Sequence, residues 1–165
     1  MRIRFMALSL TAVAAVVTTS LPLATSAAPA AGDTSSLSFF TGTWSCKTTK
    51  SSDPKKIGQI EPNTVTMTKT WSKVQFPGGA VYVTRDVKLN KTVDVFVGDD
   101  GSYGIQRAPG WAGDKLVFAD IVNSGGDPLG TETITKVNAT TFTNNYTVKT
   151  PSGSRVFEQA CTKKT

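Results

Sequence analysis

The sequence contains no histidine. That excludes His-based acid–base catalysis, Ser-His-Asp and Cys-His nucleophiles, His-ligated haem and His-containing zinc sites. Cysteine occurs only twice, at Cys46 and Cys161. Two thiols without a histidine or a second pair make a poor metal site, so no metal and no cofactor is expected. Charge is sparse, 18% of residues, with 18 Lys and Arg against 12 Asp and Glu. The basic doublets are Lys55-Lys56 and Lys163-Lys164, too dispersed for a nucleic-acid footprint. They allow at most weak attraction to an anionic envelope surface. From residue 41 onward no apolar stripe at helical spacing lasts long enough to make a helix.

The one long apolar run lies at the N-terminus. Met1-Arg2-Ile3-Arg4 is a positive start, Phe5 to Val17 is apolar, and Thr25-Ser26-Ala27 offers small residues before a cleavage point. These are the three parts of a secretory signal peptide, here residues 1–27. A membrane anchor needs about 20 apolar residues, and Thr18, Thr19 and Ser20 interrupt the run too early. The mature chain is therefore expected to be secreted or periplasmic, with no integral membrane segment. Residues 28–38 are small and polar and read as a flexible leader to one domain, 39–165. An even cysteine count in a secreted chain favours a disulfide.

What is abundant is Thr and Val in alternating patterns, which suits pleated strands. Strand candidates follow closely at 43–50, 62–72, 79–89, 91–98, 102–107, 114–122, 130–138, 140–149 and 154–163. Phe76-Pro77-Gly78-Gly79, Gly98-Asp99-Asp100-Gly101 and Pro151-Ser152-Gly153-Ser154 between them are hairpin chemistry. Short links between strands mean an antiparallel meander. Each strand has one apolar face: Val65, Met67 and Trp71; Val81 and Val83; Val93, Val95 and Val97; Tyr103 and Ile105; Phe142 and Tyr146. With no helix to cover that face, the sheet is expected to close into an up-and-down barrel, with a sandwich as the alternative. Stretches 51–61 and 123–129 are longer and are candidate loops at a binding mouth. An odd count would make the end strands parallel, so eight or ten strands are expected. Either one candidate is false, or 57–62 begins a strand merged with a loop.

Closure makes the first and last strands neighbours. With Cys46 opposite Cys161, a disulfide locks the seam, and Trp44 falls opposite Lys163, whose ammonium then caps the indole. Phe40-Thr41-Gly42-Thr43-Trp44 resembles the Gly-x-Trp start of lipocalin-like (calycin) barrels. In that superfamily a basic residue of the last strand lies over the Trp; Lys163 stands where Arg is usual. Gly42-Thr43-Trp44-Ser45-Cys46, Gly101-Ser102-Tyr103-Gly104, Pro109-Gly110-Trp111 and Cys161-Thr162-Lys163 are similar to segments of uncharacterised secreted bacterial calycin-like proteins. The resemblance implies a lipocalin-like β-barrel over about residues 39–164, with Gly42, Trp44 and Lys163 structural. The later tryptophans of a biotin-binding avidin and the iron-ligating His of a nitrobindin have no counterparts.

Polar residues in phase with the apolar faces are the candidate binding groups: Lys69, Arg85, Arg107, Asp120, Asn144 and Gln159. Arg85 and Arg107, beside Trp71 and Tyr103, are expected to line a pocket for a small apolar or anionic ligand. No nucleophile–base pair and no metal set can be assembled, so no catalytic residue is assigned. The expected function is small-molecule binding. The alternative is an extracytoplasmic interaction or inhibitor protein with a filled barrel, working through its loops.

Overall fold

The computed structural model describes residues 35–124 and 128–164. The signal segment 1–27 and most of the leader lie outside them. Eleven strands follow in order: β1 (Gly42–Ser51), β2 (Ile60–Met67), β3 (Ser72–Phe76), β4 (Gly79–Asp86), β5 (Lys91–Gly98), β6 (Tyr103–Ala108), β7 (Trp111–Ala112), β8 (Lys115–Asn123), β9 (Gly130–Asn138), β10 (Thr141–Thr150) and β11 (Gly153–Lys163). Sequence neighbours pair antiparallel except β6 and β7, β1 pairs with β11, and β6 reaches past the two-residue β7 to β8. The result is a closed up-and-down barrel of ten strands, with β7 an appendage on β8. No helix among the described residues is long and apolar enough to cross a membrane.

The tenth strand comes from the 62–72 candidate rather than from 57–62. The Thr68 hydroxyl accepts the backbone N–H groups of Thr70 and Trp71 and donates to the Trp71 carbonyl. This side-chain-built turn ends β2 at Met67 and starts β3 at Ser72, with no Gly or Pro to announce it.

The seam has the expected register. Trp44 pairs with Lys163 and Cys46 with Cys161. The two cysteines are disulfide-bonded, with Cα atoms 4.0 Å apart, the close spacing of a non-hydrogen-bonded antiparallel pair. Trp44 is fully buried, and the Lys163 ammonium lies 5.5 Å from its ring centroid. Gly42 makes room for this lysine: its φ is +114°, and a Cβ there would come within 3.2 Å of Lys163 Cε. We expect Lys163→Met, which keeps the apolar stem, to lower stability by about 0.5–1 kcal/mol in urea melts. An unchanged midpoint would remove the cation–π contact from the account of the seam.

A short 3-10 helix, Ser35–Phe40, closes one end. It begins inside the segment read as leader, and Leu37 is buried in the core with Val83, Ala108, Leu116 and Phe118. Two indoles hold it. Trp44 Nε1 donates to the Phe40 carbonyl at 2.6 Å, and Trp111 Nε1 donates to the Ser36 carbonyl at 2.9 Å. Phe40 stacks on Trp111, and the Lys136 ammonium sits 3.8 Å from the Trp111 ring centroid. The barrel is thus plugged at this end, and its interior opens toward the other.

Candidate functional site

The interior holds a cavity of about 920 Å³. Its floor is apolar, formed by Leu37, Phe40, Leu116, Phe118 and Phe142. Phe76, Phe96 and Phe157 stand nearer the open end. Ser51, Ser52, Asp53 and Lys56 on one side, and Asn123, Ser124 and Pro128 on the other, complete the lining. Both longer stretches singled out in the sequence therefore contribute to the mouth.

Between floor and mouth runs a polar belt, and strand register explains its continuity. Asp94 of β5 pairs with Gln106 of β6, and Gln106 pairs with Asp120 of β8. On β9, Glu132 lies one inward position above Ile134, and it pairs with Tyr146 of β10. Asn144 pairs with Gln159 of β11. Residues opposite one another in register share a face, so each of these sets points inward, and the Tyr146–Asp120 hydrogen bond ties β10 to β8 across the belt. Gln159 also donates to Glu61 of β2 at 3.4 Å.

Asp120 is the hub. It accepts from Tyr146 Oη at 2.5 Å, Gln106 Nε2 at 2.6 Å, the Gly130 backbone N–H at 2.6 Å and Asn123 Nδ2 at 2.9 Å. Gly130 has no side chain because a Cβ would approach Tyr146 Oη to 2.8 Å. Burial alone would raise the Asp120 pKa, but these donors outweigh it and hold the carboxyl below its usual value. Burial and the bond to Asp120 push Tyr146 up to about 12. Glu132 rises to about 7, mainly through burial and further through the Asp120 charge, with the Asn144 amide opposing as a donor. The area Glu132 leaves uncovered lines the cavity. Asp94 is 7% exposed. Burial first, then the charges of Glu132 and Asp120, raise its pKa well above its usual value.

The structure does not gather the four side chains expected to line the pocket. Trp71 is 43% exposed on the outer surface, in a shallow depression with Lys73, Tyr82 and Val95. Tyr103 reaches only the rim and is 51% exposed. Arg107 is exposed on the outer face of β6. Arg85 has inward parity but sits at the plugged end, donating to the Pro109 carbonyl and to Asn90 Oδ1. No guanidinium pair is assembled for an anion. The physical reason is an inverted pleat: on β5 and β6 the inward residues are Thr92, Asp94, Phe96, Gly104, Gln106 and Ala108, while Val93, Val95, Val97, Ile105 and Arg107 face out. Lys69 lies in the β2–β3 turn. Asp120, Asn144 and Gln159 do line the cavity as expected, whereas Asp94, Gln106 and Glu132 were missed. A usable signal existed for two of them. Asp120 is in phase with Leu116 and Phe118, and its register through β6 and β5 carries the inward face to Gln106 and Asp94.

No family model matches the chain, and no curated protein matches it in sequence.

Proposed function

We propose that this is an extracytoplasmic binding protein of the lipocalin-like type, holding a small, partly apolar molecule inside its barrel. The carrying observation is the open interior. A volume of about 920 Å³ falls within the range of small-molecule sites, which pair mostly apolar walls with a few placed polar groups. A filled barrel, as the interaction-protein alternative requires, would leave no such space. The Cys46–Cys161 bond suits an oxidising compartment, in keeping with the signal-like residues 1–27 and with the seam features that resemble calycin barrels.

The neutral apolar fluorophore N-phenyl-1-naphthylamine provides the test. Its emission should rise saturably on addition of the chain from residue 28 onward. Val81 lines the cavity, so Val81→Trp should weaken binding at least about 10-fold, equivalent to 1.4 kcal/mol. Circular dichroism of the variant should be unchanged. Absence of binding, or binding indifferent to Val81→Trp, would reject the barrel as the site; the depression around Trp71 would then be the place to look.

A further inference from the structure

We propose that the molecule held in the barrel is an organic cation, a primary or secondary ammonium on an apolar body, whose N–H groups are met by Asp94, Glu132, Gln106 and Asn144. The inference rests on the binding reading above and specifies its ligand class.

The first argument is the sign of the charge. The belt brings together Asp94, Asp120 and Glu132, with Glu61 beyond Gln159. Among the described residues of the lining, the only basic ones are Lys56 and Arg155, both on mouth segments. The chain is basic as a whole, with a formal charge of +6, yet its cavity is acidic at mid-height. A buried carboxylate without a cationic partner is costly. A ligand that supplies the missing cation removes that cost.

The second argument is independent of charge. Among the described residues, three buried side-chain oxygens have no hydrogen-bond partner: Gln106 Oε1, Asn144 Oδ1 and Asn63 Oδ1. Gln106 is only 9% exposed. Gln106 Nε2 is spent on Asp120, and the Asn144 amide lies beside Glu132, where it opposes the rise in the carboxyl's pKa. Each amide nitrogen keeps a second N–H, but the oxygens are the buried atoms left without a partner. Asp94 likewise has no donor among the described residues. A carboxylate, phosphate or ether ligand would add acceptors to acceptors; the belt calls for donors.

The third argument concerns the shape of the cation. Among the described residues no three acidic side chains converge closely enough to hold a metal ion. The belt instead joins two carboxylates with amide oxygens, and apolar walls lie below and above them. That arrangement suits N–H groups carried on a hydrocarbon body.

The titratable groups facing Glu132 are Asp120 of β8, Tyr146 of β10 and Asp94 of β5, and none of them is basic. Binding of an amine that stays protonated throughout should therefore tighten as the pH rises from 6 to 8.

The experiment compares octylammonium, octan-1-ol and octanoate at pH 7.5, by calorimetry and by displacement of N-phenyl-1-naphthylamine. The ammonium should bind at least about 10-fold more tightly than the alcohol, and octanoate most weakly. Asp94→Asn and Glu132→Gln should each reduce the ammonium-to-alcohol ratio to about 3-fold or less. If the alcohol or octanoate matches the ammonium, or the ratio survives both variants, the cation proposal is overturned while binding in the barrel stands. The same holds if none of the three binds but the dye does. If the dye fails as well, the binding reading falls with it.

Discussion

Removing the Cys46–Cys161 bond is expected to lower stability by about 4 kcal/mol and the melting temperature by roughly 10 °C. The bond joins residues 115 apart in sequence, so its loss frees a very long loop in the unfolded chain. The folded side of the balance changes less. Both cysteines are buried against Trp44, Val65, Phe39 and Phe142, and the β1–β11 ladder keeps its backbone hydrogen bonds. Cys46→Ala with Cys161→Val preserves most of that packing and isolates the crosslink better than serine, which would bury unpartnered hydroxyls. The seam makes the effect local as well as global. Every other strand contact joins sequence neighbours, apart from β6–β8 across the short β7. β1–β11 is the junction where chain connectivity gives no help. Hydrogen exchange in β1 and β11 should accelerate more than in β4 and β5. A loss under about 1 kcal/mol, or uniform acceleration, would show that packing around Trp44 and not the crosslink holds the barrel closed.

Topology was more legible in the sequence than the lining. Turn chemistry at Gly78-Gly79, Asp100-Gly101 and Ser152-Gly153 marks hairpins whose short links permit only antiparallel neighbours, and a cysteine near each end then fixes the seam. Register around Trp44 and Lys163 follows from that single pairing. The failures came where apolar character was equated with inward direction. On β5 three valines point outward and Asp94 points inward, because valine suits any pleated surface whichever face is covered. A filled barrel would have enforced the usual alternation; a cavity relaxes it and admits a carboxylate. The same equation placed Trp71 inside, when the threonine-built turn before it reverses the chain and leaves the indole on the surface. What the sequence did carry, through Asp120, Asn144 and Gln159, was the height of the polar belt on three strands.

Glu132→Gln should stabilise the ligand-free protein by about 2 kcal/mol at pH 8 and change it little at pH 5. In the folded chain Glu132 titrates at about 7, against 4.5 for the unperturbed group. Between those values the folded state holds a proton that the unfolded state has released, so stability declines as the pH rises. The contribution is complete below about 4.5 and gone above about 7. The full shift converts to roughly 3 kcal/mol, and water in the cavity reduces it to about 2. Asp94, raised chiefly by burial, acts in the same direction. Asp120 acts oppositely: its lowered pKa supports the fold above the ordinary aspartate value and is lost in acid. Together they place the stability maximum near pH 4, with a fall toward pH 8 that urea melts at unit pH steps would trace. Glutamine retains an oxygen to accept from Asn144, so the variant removes the charge and little else. A wild-type profile flat from pH 5 to 8, or a Glu132→Gln variant less stable at pH 8, would mean that the carboxylate is compensated within the fold. If the profile falls as expected, saturating octylammonium at pH 8 should restore more stability to the wild type than to Glu132→Gln, because the variant lacks one of the carboxylates the added cation neutralises.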